Sequence, residues 1–257
     1  VIALCVKNKQ GDIIEQRTID ATRGELSRWA SSQDRPWIGA MEATLFTGWI
    51  YDFLKPHAKE LKVAHPLMLK AIAASKKKND KVDARKIADL LRCDLLPECY
   101  MAPSDIRELR RVLRYRNLLV RESVRMQNKT AGLLMEVGAE YSKKRLKGKK
   151  YFTDLLGTLK EEPASVTQML RLSRQGRDFF QDLQRGIKEQ LLKHRLLQKR
   201  VELLMSVPGV GEITALTWAL EVGEPSRFSS IAKAVSYCGL CSGQNNSAGK
   251  ESRGPIS

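Results

Sequence analysis

Two groups of residues have the types and spacing that chemistry on phosphodiesters requires. The first is acidic. Asp80 and Asp83 stand three apart in Asn79-Asp80-Lys81-Val82-Asp83-Ala84. At the start of a helix that spacing projects both carboxylates from one face, and Asp83 shares its face with Ile87 and Leu90. Taken alone, the pair also reads as a capping box, with Asp80 as N-cap and Asp83 in the third helical position. Glu42 favours a metal. It follows the apolar run Trp37-Ile38-Gly39-Ala40-Met41, and the C-terminal ends of strands are where α/β sheets open their ligand sites. Converging carboxylates hold Mg2+ through oxygens at about 2.0 to 2.1 Å, and two ions about 4 Å apart can clamp the attacking and leaving oxygens of a phosphodiester. Glu42, Asp80 and Asp83 are therefore the candidate metal ligands. Lys76, Lys77 and Lys78, just upstream, can offset their repulsion and engage a nucleic-acid strand.

The second group is the run Gly239-Leu240-Cys241-Ser242-Gly243-Gln244-Asn245-Asn246-Ser247-Ala248-Gly249-Lys250-Glu251-Ser252-Arg253-Gly254. A serine hydroxyl attacks a phosphodiester once its proton is removed and the charge on the phosphorus oxygens is stabilised, and Lys250 and Arg253 can supply the latter. On composition alone the run is a flexible polar loop. Cys238 and Cys241 form a lone CxxC with no second pair of ligands nearby, and the odd total of five cysteines reads as reduced thiols.

Elements must hold these groups in place. Val1 to Val6 and Ile13 to Ile19 read as two strands joined by a polar turn through Gly11-Asp12. Thr22 caps a helix through Trp29, with Glu25 in the capping-box position. Trp37 to Met41 and Leu61 to His65 read as short strands, with helical spacing from Thr44 to Leu54 between them. This alternation predicts an α/β layer with a largely buried sheet. From Asp105 to Val137 apolar residues recur at helical spacing among many arginines, giving one helix of roughly 45 to 50 Å at 1.5 Å per residue. A second long helix is expected from Arg177 to Met205, paired with the first as an antiparallel arm or with a partner's helices in a coiled coil. These features divide the chain into regions 1–102, 103–205 and 206–257.

Two further segments suit phosphate. Lys143-Lys144-Arg145-Leu146-Lys147-Gly148-Lys149-Lys150 is too basic for a packed core and is expected to be a phosphate-contacting loop, with Lys144, Arg145 and Lys147 at its centre; the alternative is a solvated tip. Ser206-Val207-Pro208-Gly209-Val210-Gly211 resembles a helix-hairpin-helix turn, in which Gly209 and Gly211 free backbone amides at a helix start to hold a DNA phosphate. Composition agrees. In 257 residues, 45 Lys and Arg face 29 Asp and Glu, for a net charge of +16. That balance suits a partner made of phosphates, whereas no apolar run can span a bilayer. A soluble, intracellular protein is expected, with no membrane partner. The chain does not begin with Met and stops at Gly254-Pro255-Ile256-Ser257, which reads as a fragment.

Four pieces, in order, resemble one family: Met41-Glu42-Ala43-Thr44, Asn79 to Ala84 leading into Ile87-Ala88 and Leu90-Leu91, Ser206 to Gly211, and Tyr237-Cys238-Gly239-Leu240 through Ser247-Ala248-Gly249-Lys250. Along essentially its whole length the chain resembles the insertion-sequence transposases of the IS one-ten type, which are bridge-RNA-guided recombinases related to the Piv invertases. The resemblance implies a RuvC-like, ribonuclease-H-type α/β N-terminal domain with a DEDD tetrad that binds Mg2+. It further implies a long-helix coiled-coil insertion and a mostly α C-terminal domain with the helix-hairpin-helix-like motif. Glu42, Asp80 and Asp83 match the last three members of the tetrad. The first Asp would precede Val1, because Asp12 and Asp20 are poorly placed. By motif position Ser247 matches the nucleophile, although Ser242-Gly243 and Asn246 depart from the usual pattern and leave Ser242 and Ser252 as alternatives. DNA, a structured guide RNA and a homo-oligomer, either dimer or tetramer, are the implied partners. The expected function is DNA transposition or site-specific recombination through a serine-linked intermediate. The alternatives are a metal-dependent junction nuclease and a non-catalytic nucleic-acid-binding protein.

Overall fold

The computed structural model describes residues 1–72, 79–247 and 249–256. They form two compact units, Val1–Arg107 and Glu108–Ser257. The front unit opens with β1 (Ile2–Lys7) and β2 (Ile13–Ile19), which pair antiparallel as the alternating apolar pattern requires. Next comes α1 (Arg23–Ser31), whose N-cap Thr22 accepts a hydrogen bond from the Glu25 amide at 3.2 Å. The Glu25 carboxylate does not close a reciprocal box. It pairs with Arg28 one turn on. The chain continues through β3 (Ile38–Glu42), α2 (Thr47–Leu54), β4 (Glu60–Ala64), α3 (Pro66–Ile72) and α4 (Asp80–Arg92).

The strands form two separate two-stranded pairs, with β3 and β4 parallel in the second. The mixed α/β character is as the sequence indicates, but the pieces are small and helices dominate. One apolar core serves both pairs. Leu26, Trp29 and Ala30 fall at i, i+3 and i+4 on the buried face of α1 and meet Ile19 and Leu54. Ile2, Leu4 and Val6 reach the same cluster from alternate positions of β1, and Met41 and Leu61 reach it from β3 and β4.

The second unit is dominated by α5 (Ser104–Glu136), a 33-residue helix that begins in the front unit, and by α7 (Ala164–Leu192), a 29-residue helix. Between them lie a 3₁₀ turn (Arg145–Lys147) and α6 (Lys149–Thr158). Gln184 donates to the Leu119 carbonyl at 3.0 Å, and a side chain added at Gly176 would meet Met126. Rising numbers on one helix thus face falling numbers on the other, so α5 and α7 run antiparallel. At one end Leu133 and Leu134 of α5, Leu146, Phe152, Leu155 and Leu159, and Leu170 of α7 bury one another as a second core.

Three expectations change here. The second long helix starts well before Arg177 and ends at Leu192, and α8 (Gln198–Met205) is a separate element. The short break between them lets Leu191, Leu197 and Val201 all bury, which one straight helix would not allow. No proline or glycine announces it. After α9 (Glu212–Val222) and α10 (Ile231–Tyr237), the polar run is not a loop but a hairpin, β5 (Ser242–Ser247) with β6 (Lys250–Ile256). The basic stretch at 143–150 is a 3₁₀ turn running into α6 rather than a loop, with Leu146 buried and Arg174 donating to the carbonyls of Leu146 and Lys147, each at 3.1 Å, and its phosphate-contacting role is not decided by this.

Candidate functional site

The start of α4 is built differently from the capping box that its two acids suggest. Asn79 is the N-cap, and its side chain accepts from the Lys81 amide at 2.9 Å. Asp80 becomes the first helical residue and Asp83 the fourth, so neither has a capping duty. Both still gain from the positive end of the helix dipole. Asp80 is exposed, while Asp83 is half-buried with Lys86 at 4.0 Å. Asn79 precedes the acids in the sequence and is as good a cap as Asp, so the signal was present but outweighed by the acidic spacing.

Side chains from the hairpin lock α4 in place. Lys7 reaches Asp89 at 2.6 Å, Gln16 donates to the Lys81 carbonyl at 3.0 Å, and Arg85 donates through Nε to Gln16 at 2.9 Å. The helix also lies against β3. Glu42 is the last residue of β3, paired in register with Ala64, and its side chain is exposed. Its carbonyl accepts from the hydroxyl of buried Thr47 at 2.9 Å, and Thr47 in turn accepts from the Thr44 amide at 2.7 Å. Sequence reasoning did not single out Gln16 or Thr47, yet these residues hold the elements that carry the acids.

The fold thus brings the strand ending in Glu42 and the helix opening with Asp80 and Asp83 into contact. It does not close a metal cage around them: among the described residues no group of three or more His, Cys, Asp or Glu side chains forms a cluster able to hold an ion. As placed, the three carboxylates do not fit a bound Mg2+ by themselves. Lys76, Lys77 and Lys78 lie outside the described residues.

In the hairpin, Ser247 pairs with Lys250 across a two-residue connection, and Gln244 pairs with Arg253. Gly249 has φ +77°, the left-handed conformation that a tight connection demands and glycine supplies at no steric cost. Strand alternation sets Lys250 and Arg253 on opposite faces of β6, so the fold does not present these two cations together.

The helix-hairpin-helix-like segment joins α8 to α9 through a turn closed by the Val210 amide on the Val207 carbonyl at 3.1 Å, with Gly209 at φ +86°. Gly211 is the N-cap of α9 and no side chain caps that helix. Its start is held from outside by Lys188, which meets Glu212 at 2.5 Å. In the basic stretch, Lys144 and Lys147 are exposed, while Arg145 stacks over the Tyr151 ring at 4.7 Å. Among the described residues no helix is long and apolar enough to cross a membrane.

Comparison with known proteins places these features in context. A family model for DEDD transposases of the IS110 kind matches residues 2–138, more than half of the chain, and one described as the IS116/IS110/IS902 transposase family matches residues 201–257. The chain is 24% identical over 218 residues to a transposase for insertion sequence element IS1328 of Yersinia enterocolitica, covering 84% of this chain and 64% of that protein. It is 28% identical over 188 residues to a probable family 20 transposase of Pseudomonas aeruginosa, covering 70% and 55%. It is also 24% identical over 180 residues to a transposase for insertion sequence element IS1111A of Coxiella burnetii, covering 68% and 48%. The chain therefore spans about half to two thirds of the length of these relatives.

Proposed function

This chain belongs to the IS110-type transposases, and from that premise we propose that it serves DNA transposition by cutting and rejoining strands through a phosphoserine bond at Ser247. Glu42, Asp80 and Asp83 form the acidic part of the site. The observation that carries this reading is the division of labour at α4: Asn79 caps the helix, which leaves two carboxylates on a firmly held first turn with no capping task, on a helix packed against the strand that ends in Glu42.

In the reaction, Ser247 loses its hydroxyl proton, a P–Oγ bond forms, and the P–O bond to the departing strand breaks as that oxygen takes up a proton. Attack by the hydroxyl of an exchanged strand reverses these changes and frees the serine, so the bond energy is kept and no ATP is needed. Lys250, in register with Ser247, is the cation that balances charge on the phosphorus oxygens. The hard carboxylate donors suit Mg2+. Because the three do not enclose an ion as placed, no step is assigned to a metal, and a further ligand or a closing movement is required before one is held.

Gly209 and Gly211 at the open start of α9, together with Lys144, Arg145, Lys147 and Arg253, contact phosphates. The RuvC-like character of the front region, a coiled coil through the long helices, a guide RNA and a dimeric or tetrameric assembly belong to the same proposal, as does the division into regions 1–102, 103–205 and 206–257. The test is a denaturing gel of the full-length protein with guide RNA and both DNA partners. Ser247→Ala is expected to abolish the covalent protein–DNA band. Cleavage that persists in this variant and is lost in Asp83→Ala would instead identify a water-using junction nuclease.

A further inference from the structure

The two long antiparallel helices differ in how many of their cations are left without an ionic partner. On α7, Arg174 and Arg177 both meet Asp178, at 2.8 and 3.4 Å, Arg185 meets Asp182 at 3.1 Å, and Lys188 meets Glu212 at 2.5 Å. On α5, seven of positions 109–129 are Lys or Arg and only Glu122 is acidic. Arg111, Arg114, Leu118, Arg121, Arg125 and Lys129 follow one another at steps of three or four, so they form one row along the helix. All of them are exposed. Arg125 pairs with Glu122 on its own helix and Arg114 with Glu221, while Arg111, Arg121 and Lys129 have no ion pair or hydrogen bond among the described residues.

Helix–helix packing does not account for this row, because the face that meets α7 is a different one, carried by Leu119 and Met126. Nor does fold stability, since like charges one turn apart repel one another. We propose that this row is a track for the sugar-phosphate backbone of a nucleic-acid duplex, read without regard to sequence. Arg111 and Lys129 stand about 27 Å apart at 1.5 Å per residue, the rise of about eight base pairs at 3.4 Å each. One exposed aromatic, Tyr115, lies beside the row, too few for the succession of stacked bases by which single-strand platforms bind. Because each strand winds around the axis over that length, a row of cations laid along a duplex meets the phosphates of both strands where they flank a groove, whether the duplex is DNA or RNA.

This inference rests on the reading of the chain as a nucleic-acid-handling transposase. It is tested in the full-length protein with Arg111→Gln, Arg121→Gln and Lys129→Gln combined. A control removes three positive charges elsewhere in the same unit, by Arg171→Gln, Arg185→Gln and Lys199→Gln. Gln keeps helix propensity close to that of Arg and Lys, so both variants are expected to match the parent in helical circular dichroism. Binding to mixed-sequence 20-base-pair DNA, to duplex RNA of equal length and to single-stranded DNA is followed across a salt series.

The track variant is expected to lose about two to three from the slope of log affinity against log salt for duplex DNA, as three phosphate contacts at about 0.9 each require, and the control less than half of that. A comparable loss on duplex RNA extends the track to both helices, and no loss there confines it to DNA. Equal losses in the two variants, or a larger effect on the single strand than on either duplex, would overturn the proposal. Failure here leaves the Ser247 covalent band intact, and failure of the serine assignment leaves these salt slopes intact, so the two readings fall separately.

Discussion

The acids of the front unit and the serine of the terminal hairpin are held by opposite means. α4 is tied to the first hairpin by three side-chain links that involve Lys7, Gln16, Lys81, Arg85 and Asp89, and the turn after Glu42 is pinned by Thr47. The β5–β6 hairpin is held chiefly by its own ladder, and an isolated two-stranded hairpin is marginal in water. The carboxylates therefore stand on a preorganised scaffold, whereas Ser247 sits on an element held chiefly by its own strand pairing. Such a division suits the proposed reaction, in which the serine would act only once the strands to be exchanged are bound.

Several substitutions break or sharpen this contrast. The largest effect is expected at the core beneath the acids. Leu26 has no exposed surface, and Leu26→Ala should cost about 2 to 5 kcal/mol in chemical denaturation, with loss of the front unit's cooperative unfolding. Next is the α4 start. Asn79→Ala should cost about 1 kcal/mol, whereas Asp80→Ala, which removes only a dipole interaction at an exposed site, should cost less than half of that. Equal costs would return Asp80 to a capping role and weaken its assignment to the site. The smallest global change is expected in the hairpin. Gly249→Val places a branched side chain at positive φ and should strain the connection by about 1 to 3 kcal/mol locally. Amide exchange should rise in β5 and β6 while the front unit's unfolding midpoint stays fixed.

The sequence made some of this legible and hid the rest for physical reasons. The opening hairpin, α1, β3, β4 and the span of α5 all follow from periodicity, because each puts one apolar face into a core. The polar run at 239–254 offered no such face. Its strand character comes from backbone pairing alone, which leaves no hydrophobic trace. The break between α7 and α8 was hidden because apolar positions continue on both sides of it and no glycine or proline lies between them, although Leu191, Leu197 and Val201 are all buried. At the acidic group, the spacing of Asp80 and Asp83 was readable, but the transfer of the capping task to Asn79 emerged only from hydrogen bonding. The pairing of Ser247 with Lys250 rather than with Arg253 depends on strand register, which no single-sequence pattern encodes.

The most direct measurement is mass spectrometry of the protein recovered from a DNA-cleavage reaction with guide RNA and both partners, after nuclease digestion of the bound strand. A nucleotide remnant on the peptide that carries Ser247, fragmenting to that residue, is the predicted result. Cleaved DNA accompanied by a remnant on Ser242 or Ser252, or by no protein-bound remnant at all, would contradict it.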